Sequence, residues 1–411
     1  MAPSGKAREI PSLRTIWESF VLNEYTSTRS PRNGNAWSLN AREVASRTEV
    51  KDFVQLPWRI YRYDAQWRPM LRRTMVAKMN AGKNPLHQEV EIANFVAYQS
   101  GRAVGRISAS IDSEYVKRYG DCAFFGHFEC PPDDDVAEVL LTAVERWARR
   151  RGMTKIVGPF SYSTREEVGL LISGYGKPPT LMQPYNPMYY PRLIESAGYQ
   201  KKFDTASYRW DAEGSSEIQR RLVRRADAVM RTQNVTTRPV RMSEFGNELE
   251  VLRSLYNDSF ARHPENVPLS KAVFEGMAAE MRPLIDPNIV RIVETDRQPV
   301  GFLLMLPDIN EIAGRSGRLT PSTLLRIATR RNGHIRGVDT AVVVLIGAVE
   351  TQFGAGIGRV LAGEIVKTIT GSGYTSVATT WVHEDNVWSN SLAAQMKTDP
   401  EKRHRVYQKA L

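Results

Sequence analysis

The sequence predicts an α/β protein made of two similar halves in tandem, each a mixed sheet flanked by helices. Three observations predict it. A strand–turn–strand pattern occurs twice, an apolar strand followed by an amphipathic helix occurs twice at matching places, and 411 residues are enough to bury two cores.

The elements follow in chain order. Residues 1–45 are polar, with Pro and Asn-Gly punctuation around 29–34, and are expected to form an extension with local helix around 13–24. Residues 46–210 are the first half. Within it, 94–112 (NFVAYQSGRAVGRISASID) reads as a hairpin turning at Ser100-Gly101-Arg102. An apolar strand ends in Phe125-Gly126-His127-Phe128-Glu129, and a helical pattern, VAEVLLTAVERWARRRGM, follows and stops at Gly152. Residues 211–235 are read as a linker and helix, because DAEGSS breaks structure before an arginine-rich helical stretch. Residues 236–411 repeat the plan. The stretch 290–308 (VRIVETDRQPVGFLLMLPD) is a second hairpin, in which Val300-Gly301 falls on Val104-Gly105. Ile346-Gly347-Ala348-Val349-Glu350 ends the matching strand, and IGRVLAGEIVKTITGSGY is the matching helix, stopping at Gly373. A further strand closes each strand–helix–strand unit, a right-handed crossover if the strands are parallel neighbours.

Composition narrows the classes. Hydrophobic residues make up 42% and charged residues 25%, ordinary globular values. No apolar run approaches the roughly 20 residues that span a bilayer, and the N-terminus lacks the apolar core of a secretory signal. Two cysteines, Cys122 and Cys130, are neither a disulfide framework nor a zinc pattern, so no metal is expected and the cytoplasm is the default compartment. The net charge of +11 suits a phosphate-rich ligand or an anionic membrane surface, touched peripherally and not spanned. Nucleic acid is not expected as a partner, since zinc-finger spacing, an aromatic RNP-like motif and a long basic tail are all missing. The basic clusters at 146–151 and 220–225 also read simply as solvated helix faces.

The segment 349–361, Val-Glu-Thr-Gln-Phe-Gly-Ala-Gly-Ile-Gly-Arg-Val-Leu, carries the chemistry. Gly354, Gly356 and Gly358 stand between a strand and a helix, where the backbone turns sharply and its free amides converge at the positive end of the helix dipole. That is a cradle for a pyrophosphate, to which Arg359 adds a charged donor. A dinucleotide fingerprint fits less well: the spacing is G-x-G-x-G, and no run of strand–helix units follows. The repeat supplies an internal control. Asp133, Asp134 and Asp135 fall opposite Gly354, Ala355 and Gly356, good capping chemistry but repulsive to phosphate. Only the second half is therefore expected to bind the cosubstrate.

This loop resembles motif A of the GNAT superfamily of acyltransferases, and Glu384-Asp385-Asn386 resembles its motif B. The chain is similar over nearly everything after residue 45 to a bacterial family with two GNAT halves, related to bacterial ceramide synthases. The matching strings include FVQLPWRIYR, PYNPMYYP, LPDIN and RVYQKAL. The resemblance implies a tandem GNAT fold and an N-acyltransferase that moves an acyl group from acyl-CoA to a primary amine, with a long-chain base as one acceptor class. It implies acyl-CoA contacts from Val349, Gln352, Phe353, Gly354, Ala355, Gly356, Ile357, Gly358, Arg359 and Asn386. Departures are plain: Phe353 stands where the family has Arg or Gln, and Ala393 stands where many members have a tyrosine general acid.

Amine acylation needs a base, an oxyanion donor and an acid for the leaving thiolate. Glu350, ending the strand before the loop, is the first candidate base, although Glu129 at the same place in the first half points to a structural origin. His383 and Glu384 follow the last core strand, and Tyr407 is the substitute acid. Tyr256, Asn257, Asp308 and Asn310 are candidate acceptor contacts. Alternatives are an acetyltransferase of small soluble amines, a GNAT-fold transferase using aminoacyl-tRNA, and a non-catalytic coenzyme A-binding module.

Overall fold

The computed structural model describes residues 39–211, 217–330, 333–349, 356–396 and 398–411. The helix expected around 13–24 lies outside these residues, as does all of the DAEGSS break at 211–216 except Asp211. The first half begins with β1 (Asn40–Glu43), α1 (Arg47–Gln55), α2 (Pro57–Ile60) and α3 (Arg72–Lys78). A reciprocal capping box between Ser46 and Glu49 starts α1. The predicted hairpin is β2 (Val90–Gln99) and β3 (Arg102–Asp112), and its turn residues Ser100 and Gly101 both take positive φ. Then come α4 (Ser113–Tyr119), β4 (Cys122–Glu129), α5 (Asp134–Arg149), β5 (Lys155–Gly158), β6 (Leu170–Ser173), α6 (Tyr190–Ser196), β7 (Gln200–Ser207) and β8 (Arg209–Asp211).

The second half runs α7 (Glu217–Thr232), β9 (Val235–Pro239), α8 (Phe245–Ser259), α9 (Lys271–Met281), β10 (Val290–Thr295), β11 (Gln298–Pro307), α10 (Pro321–Ala328) and β12 (Thr340–Ala348). It closes with α11 (Gly356–Thr370), β13 (Ser376–Thr379), β14 (Val382–His383), α12 (Val387–Gln395) and β15 (Lys402–Ala410). The β10–β11 turn at Asp296 and Arg297 repeats the positive-φ pair of the first hairpin.

The strands form two mixed sheets, and they do not keep to their halves. The first sheet has the order β1-β2-β3-β4-β5-β15-β7-β14, with β6 also on β15; the second has the order β8-β13-β12-β11-β10-β9. The last strand of the chain is therefore central in the first sheet, antiparallel to both β5 and β7. In return, β8 pairs with β13 at the edge of the second sheet. The cores follow the sheets. One apolar cluster joins Phe53, Val54 and Met75 of the first half to Leu252, Phe274 and Leu306 of the second. The two halves thus share buried surface, which a pair of independent domains would not do.

Candidate active site

In the second sheet β12 and β13 run parallel only over Thr340–Val343 and Ser376–Thr379. Beyond that point they diverge. β12 continues to Ala348 along β11, while the other chain leaves to become β14, paired with β7 in the first sheet. Thr380 pins the fork, its amide and hydroxyl both donating to the Val343 carbonyl. A bulge at the β11–β12 step of Leu304 and Met305 adds curvature on the β12 side.

The fork opens on a cavity of about 190 Å³. Its walls are mostly carbon: Leu252, Phe274 and Met281 from α8 and α9, Leu304 and Leu306 from β11, and Val344 from β12. Polar groups in its lining include Tyr256, His263, Glu265, Thr380, His383 and Asn386. A mostly apolar chamber with a few polar groups in its lining suits a ligand with a polar head and a hydrocarbon tail.

The two lining histidines have opposite tautomers, set by backbone bonds. His383 is 3% exposed, and its Nδ1 accepts the Asp385 amide at 3.1 Å, so the proton sits on Nε2. Burial, then the nearby His263, depress its protonation. His263 Nδ1 lies 2.9 Å from the Pro264 carbonyl, which only accepts; that nitrogen therefore carries a proton, and in the neutral ring Nε2 holds the lone pair. The rings meet edge to face, centroids 6.0 Å apart.

The first turn of α11 lies beside this cavity. Gly358 passes so close to Trp388 that an added Cβ would lie 2.5 Å from the indole nitrogen, and at Gly356 it would lie 2.5 Å from Gln233 Oε1. Both glycines lie in the helix without positive φ, so an added side chain there would have to displace Trp388 or Gln233. Ile357 is 1% exposed and packs under Gly301, leaving only its backbone for a ligand. Arg359 is exposed on the same turn. The matching fork in the first half is shut. Phe160 donates its amide to the Phe125 carbonyl at 2.8 Å, and its own carbonyl would lie 1.8 Å from a Cβ on Gly126. The start of α5 is occupied as well, because the Asp133 carboxylate accepts the amides of Asp135 and Val136.

No family model matches the chain. Two curated proteins do: the bacterial ceramide synthase of Caulobacter vibrioides, 31% identical over 90% of this chain and 96% of its own length, and protein YghO of Escherichia coli, 30% identical over 90% and 95%. The chain belongs to the family of that ceramide synthase. Solved structures agree on the fold. A tandem GNAT protein from the clavulanic acid biosynthesis pathway, 13% identical, superposes with a TM-score of 0.53 over 91% of this chain and 98% of its own. A glucosamine N-acetyltransferase region in a fungal multi-domain β-N-acetylglucosaminidase, 12% identical, gives 0.55 over 92% of this chain and 39% of that one. Among the described residues no His, Cys, Asp and Glu group could hold a metal ion, and no helix is long and apolar enough to cross a membrane.

Within this tandem GNAT frame the sequence-expected residues separate. Tyr256, His383 and Asn386 line the cavity. Asn386 also caps α12, its side-chain oxygen accepting the Ser389 amide at 3.0 Å. Val349 sits at the fork, its amide bonded to the Val300 carbonyl. Glu350, Gln352, Phe353, Gly354 and Ala355 lie outside the described residues. Five others are engaged elsewhere. Tyr407 is fully buried in the first sheet and donates to Glu195 at 2.9 Å, so it is committed away from the cavity. Glu384 turns outward to Lys201 at 2.8 Å. Asn257 spends both ends of its amide on the backbone of Leu269. Asp308 accepts the amides of Leu181 and Asn310, and Asn310 donates to the Pro179 carbonyl; both clamp a first-half loop and are not in the lining of the cavity at the fork. His263, Glu265 and Trp381 were missed. The signal for His263 was modest: the chain has six histidines, and this one stands in the loop between two helices that cover the sheet.

Proposed function

We propose that the protein is an N-acyltransferase that takes a long acyl chain from acyl-CoA and transfers it to the primary amine of a lipid-like acceptor, such as a long-chain base. The observation that carries this reading is the apolar cavity reached through the β12–β13 fork. A chamber walled by leucine, methionine and phenylalanine gains about 0.8 kcal/mol per methylene it shields from water. An acetyl group with a small soluble amine would leave most of it unfilled. The polar groups in the lining suit the amine and thioester end of the reacting pair, and the glycine entry to α11 supports a pyrophosphate cradle beside the cavity. The name of the Caulobacter relative points to the same chemistry.

The second half is the one we propose to hold acyl-CoA. Support comes from the closed fork and self-capped helix of the first half, which leave neither a gap for a thioester nor free amides for a phosphate. The test is thiol release with acyl-CoAs of graded length and a long-chain base, with new amide followed by mass. Turnover rising from acetyl to chains of about sixteen carbons is expected, given the gain per methylene. A clear preference for acetyl, or no thiol released with any amine, overturns the reading.

A further inference from the structure

We infer that His263 is the group that takes the proton from the acceptor amine, while His383 presents the complementary N–H to the reacting carbonyl. This rests on the acyl-transfer reading above. The two rings line the same cavity from different elements, His263 from the loop after α8 and His383 from β14. Their backbone partners differ in kind. A carbonyl can only accept, so the Pro264 oxygen fixes the proton of His263 on Nδ1; an amide can only donate, so the Asp385 nitrogen fixes that of His383 on Nε2. In their neutral forms one ring therefore offers a lone pair and the other a donor. Phe203 packs against His383 at a tilt with centroids 4.5 Å apart, and Phe260 meets His263 edge-on at 5.7 Å, so both rings are held in place.

The step balances without any further reagent. The amine nitrogen attacks the thioester carbon, and the C–N bond forms as charge gathers on the oxygen, which accepts from His383 Nε2. The amine proton passes to His263 Nε2. The C–S bond then breaks, the electron pair leaves on sulfur, and the proton from His263 goes to the thiolate. The products are the amide and the free thiol, and both rings end as they began.

The charged surroundings leave His263 to this work. Glu265 on its own loop is engaged by the Tyr115 hydroxyl at 2.6 Å and by Lys202. Across the cavity, Arg165 is held between Asp112 and Glu89, and Glu166 is held by Lys78. Arg118 donates to the carbonyls of Ala261 and Asn266, fixing the loop on both sides of the ring. Behind His383, Glu384 pairs with Lys201, and Asp385 lies 3.8 Å from Nδ1. Arg262, the neighbour of His263 in sequence, is exposed.

Two measurements test this, and they fail separately. The first needs no turnover: nitrogen-15 NMR of histidine-labelled protein near neutral pH, with assignments from the His263→Gln and His383→Asn variants. Nδ1–H for His263 and Nε2–H for His383 are expected; the same tautomer in both rings overturns the inference. The second is kinetic, with long-chain acyl-CoA and a long-chain base. His263→Gln is expected to lower kcat by about 100-fold with KM for acyl-CoA little changed, and to remove the acid-side limb of the kcat/KM profile. His383→Asn lowers kcat but keeps that limb. A wild-type pH profile in His263→Gln overturns the inference, whereas inactive wild-type protein with the expected tautomers faults the acyl-transfer reading instead.

Discussion

Asp308 shows how a residue read as a substrate contact can be a structural clamp with a measurable signature. It is 2% exposed, and burial, with Glu311 nearby, pushes its carboxyl up to about 7. In the unfolded chain the same group ionises near about 4. Below that value both states are neutral, and the residue's full stabilising contribution is present. As pH rises toward 7 the unfolded chain gains ionisation that the folded one forgoes, so stability is lost over this window and then levels off. Asp308→Asn keeps the oxygen that accepts the Leu181 and Asn310 amides and removes the ionisation. Its Tm relative to wild type is expected to rise between about pH 5 and about pH 8, by thermal melts at constant ionic strength. A constant difference across that range refutes the account. The carboxylate type and turn position were legible in the LPDIN string, but the partner amide of Leu181 is 127 positions away in sequence and no pattern announces it.

At the scale of elements, the same strand–helix–strand unit is open in one half and closed in the other. The contrast in helix entry was readable from the sequence, because three aspartates and three alternating glycines differ in plain charge and size. The contrast in the fork was not. Gly126 and Gly347 sit at equivalent strand positions, yet a Cβ on Gly126 would meet the Phe160 backbone at 1.8 Å, while one on Gly347 would meet side chains of Phe302 and Ser259 at 2.8 and 2.9 Å. Gly126→Ala is expected to destabilise by about 2–3 kcal/mol, since backbone cannot rotate away as a side chain does. Gly176→Ala, with no atom within 4 Å of its Cβ, is the control and should stay within about 0.5 kcal/mol. Denaturant melts decide it, and equal effects in the two variants would refute the closed fork.

For the whole molecule, the exchange of β15 for β8 makes the halves depend on each other. β15 carries Val406 and Tyr407, both fully buried, and Lys402, which is buried too and donates to the Gly174 and Lys177 carbonyls at 2.7 and 2.6 Å. Burial brings that lysine down to about 8. A fragment ending at residue 211 would have an empty slot between β5 and β7. It is expected to show no cooperative unfolding transition alone, and to regain one when produced together with residues 212–411. Cooperative melting of the isolated fragment would show that β15 is dispensable.

The sequence by itself determined the two-half plan, the hairpins, the helices with their stops, and the uneven charge at the two helix entries. Each is local, set by side-chain periodicity, turn geometry or capping within a few residues. Tertiary structure decided which strand fills which sheet, that Tyr407 belongs to the first sheet's core, and that His263 meets His383. Those outcomes depend on pairings between segments more than a hundred residues apart, and strand pairing is chosen by the surface it buries, which a linear pattern does not encode.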